Sequence, residues 1–321
     1  MAAGGAARDR VARPRLGEES MRNPGEIGGL PPALQEQVLE RLGFSDPPSL
    51  DQEGLGALYG AWCARVPFDN VRKMIVLRTR PDDPLPGADA DEFFEHWLAH
   101  GTGGTCWPTS NALFELVHAL GFEARRVAGS MHDLGVVNHA SVKVRIDGGE
   151  WLVDSSQLTN VPLPLGDRVF VHDDAVFPAE VEPVDGTFVL WTHSPPNSTH
   201  LPCRLLVDPA TRAAYVAGYD ASRTRSPFNQ RLYVRRNRPG ELLVLAGKRR
   251  FSRTARGLDV RELDPDEVCD ALREDAGLSD ALIDQWVRCG GLEASLEPPS
   301  RPKPPPVTRK PPSLREPQPP R

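Results

Sequence analysis

The sequence predicts an α+β fold for this chain of 321 residues. Apolar residues recur at helical spacing in the first part, whereas the middle consists of short strand-like runs bounded by Gly, Pro, Asn or Asp. The last part mixes strands with helices. Because consecutive strands follow consecutive helices, the order indicates an antiparallel sheet and not alternating βαβ units.

Four helices are predicted before the strands begin. In the first, "PPALQEQVLERLGF", apolar residues lie three to four positions apart. Ser49 or Asp51 is expected to cap the second, "SLDQEGLGALYGAWCARV", and Gly101 to end the third, "DADEFFEHWLAHG". The fourth begins just after Cys106 and ends at Gly121.

Seven strand-like runs follow, and two further helical segments close the fold. The helical segments are "PDEVCDALREDAG" and "SDALIDQWVRCGG". The strand runs are "ARRVAGSMH", "HASVKVRI", "EWLVDSS", "FVLWTHS", "CRLLVD", "RLYVRRN" and "ELLVLAGKRRF".

Composition excludes several classes of protein. The net charge of -6 and pI of about 5.8 argue against a nucleic-acid-binding protein, which normally carries a basic domain. No apolar run approaches the roughly 20 residues that span a bilayer, so no membrane association is expected. The N-terminus has acidic residues and no apolar core, unlike a secretory signal.

The five cysteines are odd in number, widely spaced and without a CxxC pair. This pattern argues against a disulfide framework or a structural zinc site and predicts a cytoplasmic location, where thiols stay reduced. No metal ligand set is expected among the histidines. Cys63, Cys203, Cys269 and Cys289 are interpreted as small packing residues.

Cys106 is the candidate nucleophile. It follows a Gly-rich turn, "GTGGTCW", and begins an amphipathic helix. The positive end of the helix dipole is expected to lower the pKa of the thiol and raise its thiolate fraction. Gly103 and Gly104 allow a sharp turn and the approach of a substrate to the backbone. The N–H groups around Cys106 and Trp107 are candidates for an oxyanion hole.

His139 and Asp154 are the candidate base and orienting acid. Each lies in a strand-like run, and an even loop between the runs puts both on one face of the hairpin. They lie directly opposite only if the turn centres near Ile146-Asp147. A Gly148-Gly149 turn would pair Asp154 with Lys143, about four residues from the His at ~3.3 Å per residue. We therefore expect a longer loop or a bulge.

Each of these three residues alone is more often structural: a buried Cys usually packs, a His usually bonds locally, and an Asp can end a strand. Their order and context favour chemistry. At these residues the chain resembles the arylamine N-acetyltransferase family. The resemblance rests on "VLERLGF", "ARVPFDNV", "GGTCW…NALFELVHALGF", "NHASVKVRIDGGEWLVD", "SRTRSPFNQRLYV" and "ELLVLAGKRR".

The resemblance implies a helical bundle, a central antiparallel β-barrel and a C-terminal α/β lid. The predicted segments are a disordered tail at 1–28, a helical domain with the nucleophile at 29–122, a barrel domain with His139 and Asp154 at 123–225, a lid at 226–292 and a Pro-rich disordered tail at 293–321.

The resemblance also implies a ping-pong reaction with the triad Cys106, His139 and Asp154. The thiolate would take an acetyl or other acyl group from a CoA thioester, with acetyl-CoA as co-substrate and no permanent cofactor, and an amine would accept it. The substrate-binding candidates are Phe68, Val127, Phe228 and Gln157. The candidates for CoA contact are Gly103, Gly104 and Lys248.

Several positions depart from the family pattern. Thr102 stands where an Arg is usual and Pro108 where a Glu is usual, so their ion pair is absent. Ser155, Ser156 and Gln157 replace the usual Val-Gly-Phe, which changes the acceptor pocket. Two alternatives therefore stay open: an amide synthase or transglutaminase-like amidase that takes a carrier-bound or peptide acyl group, and a binding protein of the same fold without catalysis.

Overall fold

The computed structural model describes residues 29–298 and 309–314. Helices come first in the chain, as predicted, and are named in chain order. They are α1 (Pro32–Leu42), α2 (Gln52–Arg65), α3 (Val71–Thr79), α4 (Ala90–His100), α5 (Cys106–Ala119), α6 (Arg212–Arg225), α7 (Pro265–Asp270), α8 (Asp280–Arg288) and α9 (Gly291–Leu296).

Eight antiparallel strands curl into a nearly closed barrel in the order β5-β4-β3-β2-β9-β8-β7-β6. These strands are β2 (Glu123–Met131), β3 (His139–Ile146), β4 (Gly149–Val153), β5 (Leu163–Pro164), β6 (Phe170–His172), β7 (Ala179–Val184), β8 (Thr187–Thr192) and β9 (Leu201–Val207).

A second sheet has five strands in the order β1-β10-β11-β12-β13. Its strands are β1 (Phe68–Asp69), β10 (Tyr233–Arg238), β11 (Glu241–Ala246), β12 (Arg249–Thr254) and β13 (Gly257–Glu262). Since β1 lies between α2 and α3, this sheet connects the helical part to the C-terminal part. The predicted α+β fold of bundle, barrel and lid is confirmed, whereas its division into domains at 122 and 225 stays a prediction.

The helical core is built on aromatic side chains of α2 and α4. Trp62 stacks on Phe93 with ring centroids 6.3 Å apart and meets Phe94 edge-on at 6.1 Å. Asp51 caps α2 by accepting a hydrogen bond from the Gly54 N–H at 2.8 Å. Gly101 ends α4 in the left-handed conformation, as predicted.

Elements that bury little apolar surface are missing from the sequence prediction. Helix α6 buries only Tyr215 and Tyr219, so it has no apolar stripe for a periodicity to detect. Strands β1 and β5 are two residues long, and β13 is exposed throughout. Their place in the fold comes from pairing with another strand, β1 with the distant β10, β5 with β4, and β13 with β12.

The Pro-rich tail starts later than predicted, because α9 continues to Leu296 and Ser295 donates to the Gly291 carbonyl at 2.7 Å. Further along, 309–314 lies against the barrel. Arg309 bonds to Glu182 at 2.9 Å and covers the Trp191 ring at 5.6 Å.

The other predicted disordered residues, 1–28 and most of the Pro-rich tail, lie outside the described residues. Within 29–298 and 309–314, no helix has the length and apolar character needed to cross a bilayer.

Candidate active site

Cys106 is the first residue of α5, and the turn before it is held by close backbone packing. A side chain on Gly103 would lie 1.8 Å from the Pro67 carbonyl oxygen, so no other residue fits there. The Gly103 N–H donates to Asp69 at 2.6 Å, and Asp69 N–H donates to the Gly104 carbonyl at 3.1 Å. The two glycines thus shape the turn against β1.

His139 and Asp154 meet through a single hydrogen bond of 2.7 Å between His Nε2 and Asp Oδ2. The connecting turn is Asp147-Gly148, with both residues at positive φ, and Ile146 pairs with Gly149. This register brings Asp154 opposite Ser141, two residues from His139 on the same face.

The expectation of a longer loop or a bulge is therefore wrong. A diagonal neighbour on a sheet lies about 7–8 Å away between Cα atoms, which an imidazole and a carboxylate can bridge. The two-residue turn is sufficient to bring His139 and Asp154 together. It is centred on Asp147-Gly148, between the Ile146-Asp147 and Gly148-Gly149 turns considered from sequence.

Burial and charge act in opposite directions on the pair. Burial alone would lower the pKa of His139, but the negative charge of Asp154, with hydrogen bonds to Asp154 and Cys106, raises that pKa well above its usual value. Burial alone would raise the pKa of Asp154, but His139 and the N–H groups of Gln157 and Ser156 lower it. The site therefore favours an imidazolium beside a carboxylate.

Cys106 lines the same cavity as His139. Its Sγ is 3.9 Å from the Asn138 carbonyl oxygen, and its side chain is among the hydrogen-bond partners that raise the pKa of His139. Because Nε2 faces Asp154, the nitrogen left to exchange a proton with the thiol is Nδ1. The structure thus brings all three predicted residues together.

Two supporting contacts escaped the sequence interpretation. The Tyr59 hydroxyl of α2 donates to the Asp154 carbonyl at 2.8 Å and accepts from the Asp154 N–H at 3.2 Å. Ser110 of α5 donates to the Ala140 carbonyl at 2.8 Å and lies 2.8 Å from the Ser155 hydroxyl. Helix α5, strand β3 and the turn that begins at Asp154, here called the Asp turn, are therefore linked directly.

No sequence signal distinguishes Tyr59 from the apolar residues of its helix face, since it occupies an ordinary core position. Ser155 departs from the family motif. A small hydroxyl side chain at that position is a sequence signal for a hydrogen bond within the protein. It donates to Thr109 at 2.9 Å.

A cavity of about 500 Å³ opens beside Cys106 and His139. Phe68 and Phe228 line it with ring centroids 5.0 Å apart, and Tyr233 lies 5.7 Å from Phe68. Gln157 lines it too, its side chain held by Thr192, which donates to Oε1 at 2.6 Å. Its walls therefore combine an aromatic group with fixed polar groups.

Four predicted binding residues lie outside the wall of this cavity. Val127 is fully buried in the barrel core, because the pleat of β2 directs it inwards. Gly103 and Gly104 pack against β1 and Pro108. Lys248 pairs with Glu262 in the five-stranded sheet, while the cavity lining ends at its neighbour Gly247.

Thr102 presents a neutral hydroxyl where the family usually has the charged side chain of an Arg. It donates to both oxygens of Asp69 at 3.1 Å, and the Val71 N–H donates to the same carboxylate at 3.0 Å. Burial raises the pKa of Asp69, although these bonds and the Gly103 N–H oppose the rise. Pro108 packs over Gly104, and a Cβ atom added to Gly104 would lie only 2.9 Å from the Pro108 ring.

Within the described part of the chain, no group of three or more His, Cys, Asp or Glu side chains could hold a metal ion. The chemistry available in the described site is that of a thiol, an imidazole and a carboxylate.

Comparison with known proteins agrees with this geometry. A family model described as N-acetyltransferase matches residues 51–281, which include the helical part from α2 onwards, the barrel and most of the C-terminal part. The chain belongs to the N-acetyltransferase family. The match includes Cys106, His139 and Asp154, and the resemblance to arylamine N-acetyltransferases inferred from sequence is confirmed.

Solved structures of arylamine N-acetyltransferases share this family fold. The Mycobacterium marinum protein superimposes with a TM-score of 0.70 at 18% identity, over 82% of this chain and 98% of that one. The same protein solved in complex with CoA gives 0.69 at 18% identity over the same shares. The Salmonella typhimurium protein gives 0.67 at 18% identity, over 80% and 98%.

A curated relative of this N-acetyltransferase family member is Proansamycin X synthase of Amycolatopsis mediterranei (strain S699). It is 27% identical over 124 residues, which are 37% of this chain and 46% of the relative. The match thus covers less than half of that protein's length.

Proposed function

We propose that this protein is a cysteine-dependent acyltransferase that moves an acetyl group from acetyl-CoA to a small amine. The observation that carries the proposal is the 2.7 Å hydrogen bond between His139 and Asp154 together with Cys106, which lines the same cavity as the imidazole. Membership of the N-acetyltransferase family and the similar structure with bound CoA support the choice of donor.

In the first half-reaction, His139 takes the thiol proton at Nδ1 and the sulfur of Cys106 attacks the thioester carbon. The bond to the CoA sulfur breaks, and the leaving thiolate takes the proton back from the imidazolium. The exchange of one thioester for another has little thermodynamic cost. Asp154 keeps the proton on Nε2 and stabilises the imidazolium, the role of the acid in such triads.

In the second half-reaction, the neutral amine nitrogen attacks the acetyl carbon on Cys106. The carbon–sulfur bond breaks, the amide forms, and the proton lost by the nitrogen returns to the thiolate through His139. The N–H groups of the first turn of α5 have no intrahelical acceptor and serve the developing oxyanion.

The cavity supports a small acceptor, because its volume of about 500 Å³ lies in the range of small-molecule sites. Phe68, Phe228 and Gln157 are the proposed acceptor contacts. Gly103, Gly104 and Lys248 lie outside the cavity wall and are not proposed to contact CoA. The five free cysteines support a cytoplasmic location.

A second candidate is transfer of a larger acyl group in a synthase reaction. Similarity to Proansamycin X synthase favours it, as does Pro108 in place of the usual Glu. It uses the same thiol, imidazole and carboxylate, and differs in the acyl group loaded on Cys106.

Mass spectrometry of the intact protein after incubation with acetyl-CoA tests the proposal. We expect an added acetyl group on Cys106 that disappears when an arylamine is supplied, and no adduct in Cys106→Ala. Iodoacetamide labelling of Cys106 at low pH without any acetyl adduct would favour the second candidate. Absence of both would leave a binding protein.

A further inference from the structure

The cavity beside Cys106 is asymmetric in charge. Three arginines line it, Arg225, Arg231 and Arg235, and none of the described lining residues is Asp or Glu. A wall with cations and no acids attracts an anionic ligand. Of the three, Arg225 is exposed at the rim and Arg231 donates to the Ser295 carbonyl at 3.2 Å.

Arg235 is the exception because it is both buried and unpartnered. Its exposed fraction is 5%, and its Nε has no hydrogen-bond partner. Among residues 29–298 and 309–314, its side chain forms no hydrogen bond and no ion pair. A buried guanidinium normally has several partners, since leaving its donors unpaired costs free energy.

The position of Arg235 in β10 directs it towards the site. It pairs with Phe68 across β1, and it shares a strand face with Tyr233 and Asn237. Asn237 on that face donates to the Leu158 carbonyl at 2.7 Å, next to the Asp154 turn. The opposite face carries Arg236. The free guanidinium thus lies at the aromatic, barrel side of the cavity.

Asp154 does not serve as the missing partner. One of its oxygens bonds to His139, and the other accepts N–H groups from Ser156 at 2.9 Å and Gln157 at 2.8 Å. Arg235 interacts electrostatically with Asp154 at longer range, but no hydrogen bond joins them. Its planar donors are therefore available to a ligand that enters the cavity.

We propose that Arg235 binds the carboxylate of the acyl acceptor, and that the acceptor is an aromatic amine that carries a carboxylate. The inference rests on the proposed function. The ring would lie among Phe68, Phe228 and Tyr233, with the amine towards Cys106. The acyl donor is a poor candidate for the anionic ligand of Arg235. Its acetyl group is uncharged, and the phosphates of CoA are separated from the thioester by the whole pantetheine arm.

The matched acceptors 4-aminobenzoate and 4-aminobenzamide test the inference, because they differ in charge and hardly in shape. We expect kcat/KM for acetyl transfer to favour the benzoate by about tenfold or more. Arg235→Gln is expected to lower that ratio by about 10- to 100-fold, and Arg235→Lys to recover part of it. Arg236→Gln, on the opposite face of β10, is the control and keeps the ratio.

An equal ratio in wild type and Arg235→Gln overturns the inference. An equal loss with both acceptors also overturns it, because that loss marks a positioning role towards Asp154. Thermal denaturation identifies any variant that does not fold, and Arg235→Lys then carries the test.

A binding measurement separates this inference from the proposed function. Benzoate is expected to slow alkylation of Cys106 by iodoacetamide in the wild type more than benzamide does, and to lose this advantage in Arg235→Gln. Protection without any acetyl adduct on Cys106 would contradict the proposed function and leave the anion site standing. An adduct without selective protection would do the reverse.

Discussion

Two buried aspartates near the site have almost the same hydrogen bonds and opposite electrostatics. Asp69 accepts two backbone N–H groups and the Thr102 hydroxyl, and Asp154 accepts two backbone N–H groups and the His139 ring. Both are nearly inaccessible to solvent. Yet burial raises the pKa of Asp69, while the pKa of Asp154 is lowered in spite of burial.

The difference comes from the His139 cation bonded to Asp154, since the charge of Arg72 is the weakest of the influences on the pKa of Asp69. Neutral donors offset part of the desolvation of a carboxylate, but an imidazolium adds a charge–charge attraction that outweighs the rest. Asp154 is therefore suited to hold a charged His139 through a reaction. Asp69 is suited to hold the turn of Gly103, which needs only an acceptor of hydrogen bonds.

The largest test of this comparison is a pair of asparagine variants. Asp154→Asn is expected to lower kcat/KM by about 10³-fold or more, because the amide no longer stabilises the imidazolium. Asp69→Asn is expected to lower it by less than about tenfold. Steady-state acetyl transfer measures both, and circular dichroism verifies folding. Equal losses in the two variants would contradict the division of roles.

Removal of the Tyr59 hydroxyl tests how firmly Asp154 must be held. Tyr59→Phe is expected to cost about 1–3 kcal/mol of unfolding free energy and about tenfold in kcat/KM, because the Asp154 backbone loses a donor and an acceptor. Urea denaturation and acetyl transfer give the two values.

Tyr215→Phe is the matched control for that variant. Its hydroxyl also bonds to buried carbonyls, those of Val127 and Ser141, but it does not contact the Asp turn. We expect similar destabilisation with activity changed by less than about threefold. An equal loss of activity would mean that general stability, and not the position of Asp154, limits turnover.

Of the groups that donate hydrogen bonds to Asp69, the Thr102 hydroxyl is the one that a side-chain substitution can remove, because the others are backbone N–H groups. Thr102→Val keeps the shape and is expected to cost about 1–2 kcal/mol of unfolding free energy. The acetyl adduct on Cys106 should still form. Loss of the adduct in a folded variant would show that the Gly103 turn depends on this bond.

The smallest expected effect is a pH dependence of opposite sign at the two aspartates. Asp69 binds its proton more tightly when folded, so its contribution to stability falls as pH rises above about 3.8 through the raised pKa. Asp154 binds its proton less tightly when folded, so its contribution is full above that value and is lost as pH falls through the lowered pKa.

Each slope is at most about 1.4 kcal/mol per pH unit. Urea unfolding of wild type, Asp69→Asn and Asp154→Asn from pH 3 to 7 measures it. Relative to wild type, Asp69→Asn should gain stability with rising pH and Asp154→Asn should lose it. Slopes of the same sign would show that His139 does not set the charge of Asp154.

The sequence predicted the elements and residues that carry a local signal. Cys106 follows glycines that only a tight turn requires, and His139 and Asp154 lie on strands with clear alternation. Their meeting depended on a register that alternation leaves open by two residues, and only the Asp147-Gly148 turn decides it.

Long-range packing explains the misses. Val127 reads like any strand residue, and whether it faces the cavity or the barrel core depends on how the eight strands close. In "YVRRN", Arg235 has the sequence pattern of an exposed charged residue. Its burial comes from pairing with β1, more than 160 positions earlier. Tyr59 and Asp154 meet only because α2 packs on the barrel.

The Asp147-Gly148 turn lies at the far end of the β3–β4 hairpin and touches none of the reacting groups. Its register, with Ile146 opposite Gly149, nevertheless sets which residues of β3 lie near Asp154. With the turn kept at two residues, one added residue would shift the register by one and put one partner on the opposite face of the sheet. Two added residues would lengthen the hairpin by one residue pair and leave the register of His139 and Asp154 unchanged. The proposed reaction centre thus depends on whether the length of a remote surface loop is even or odd.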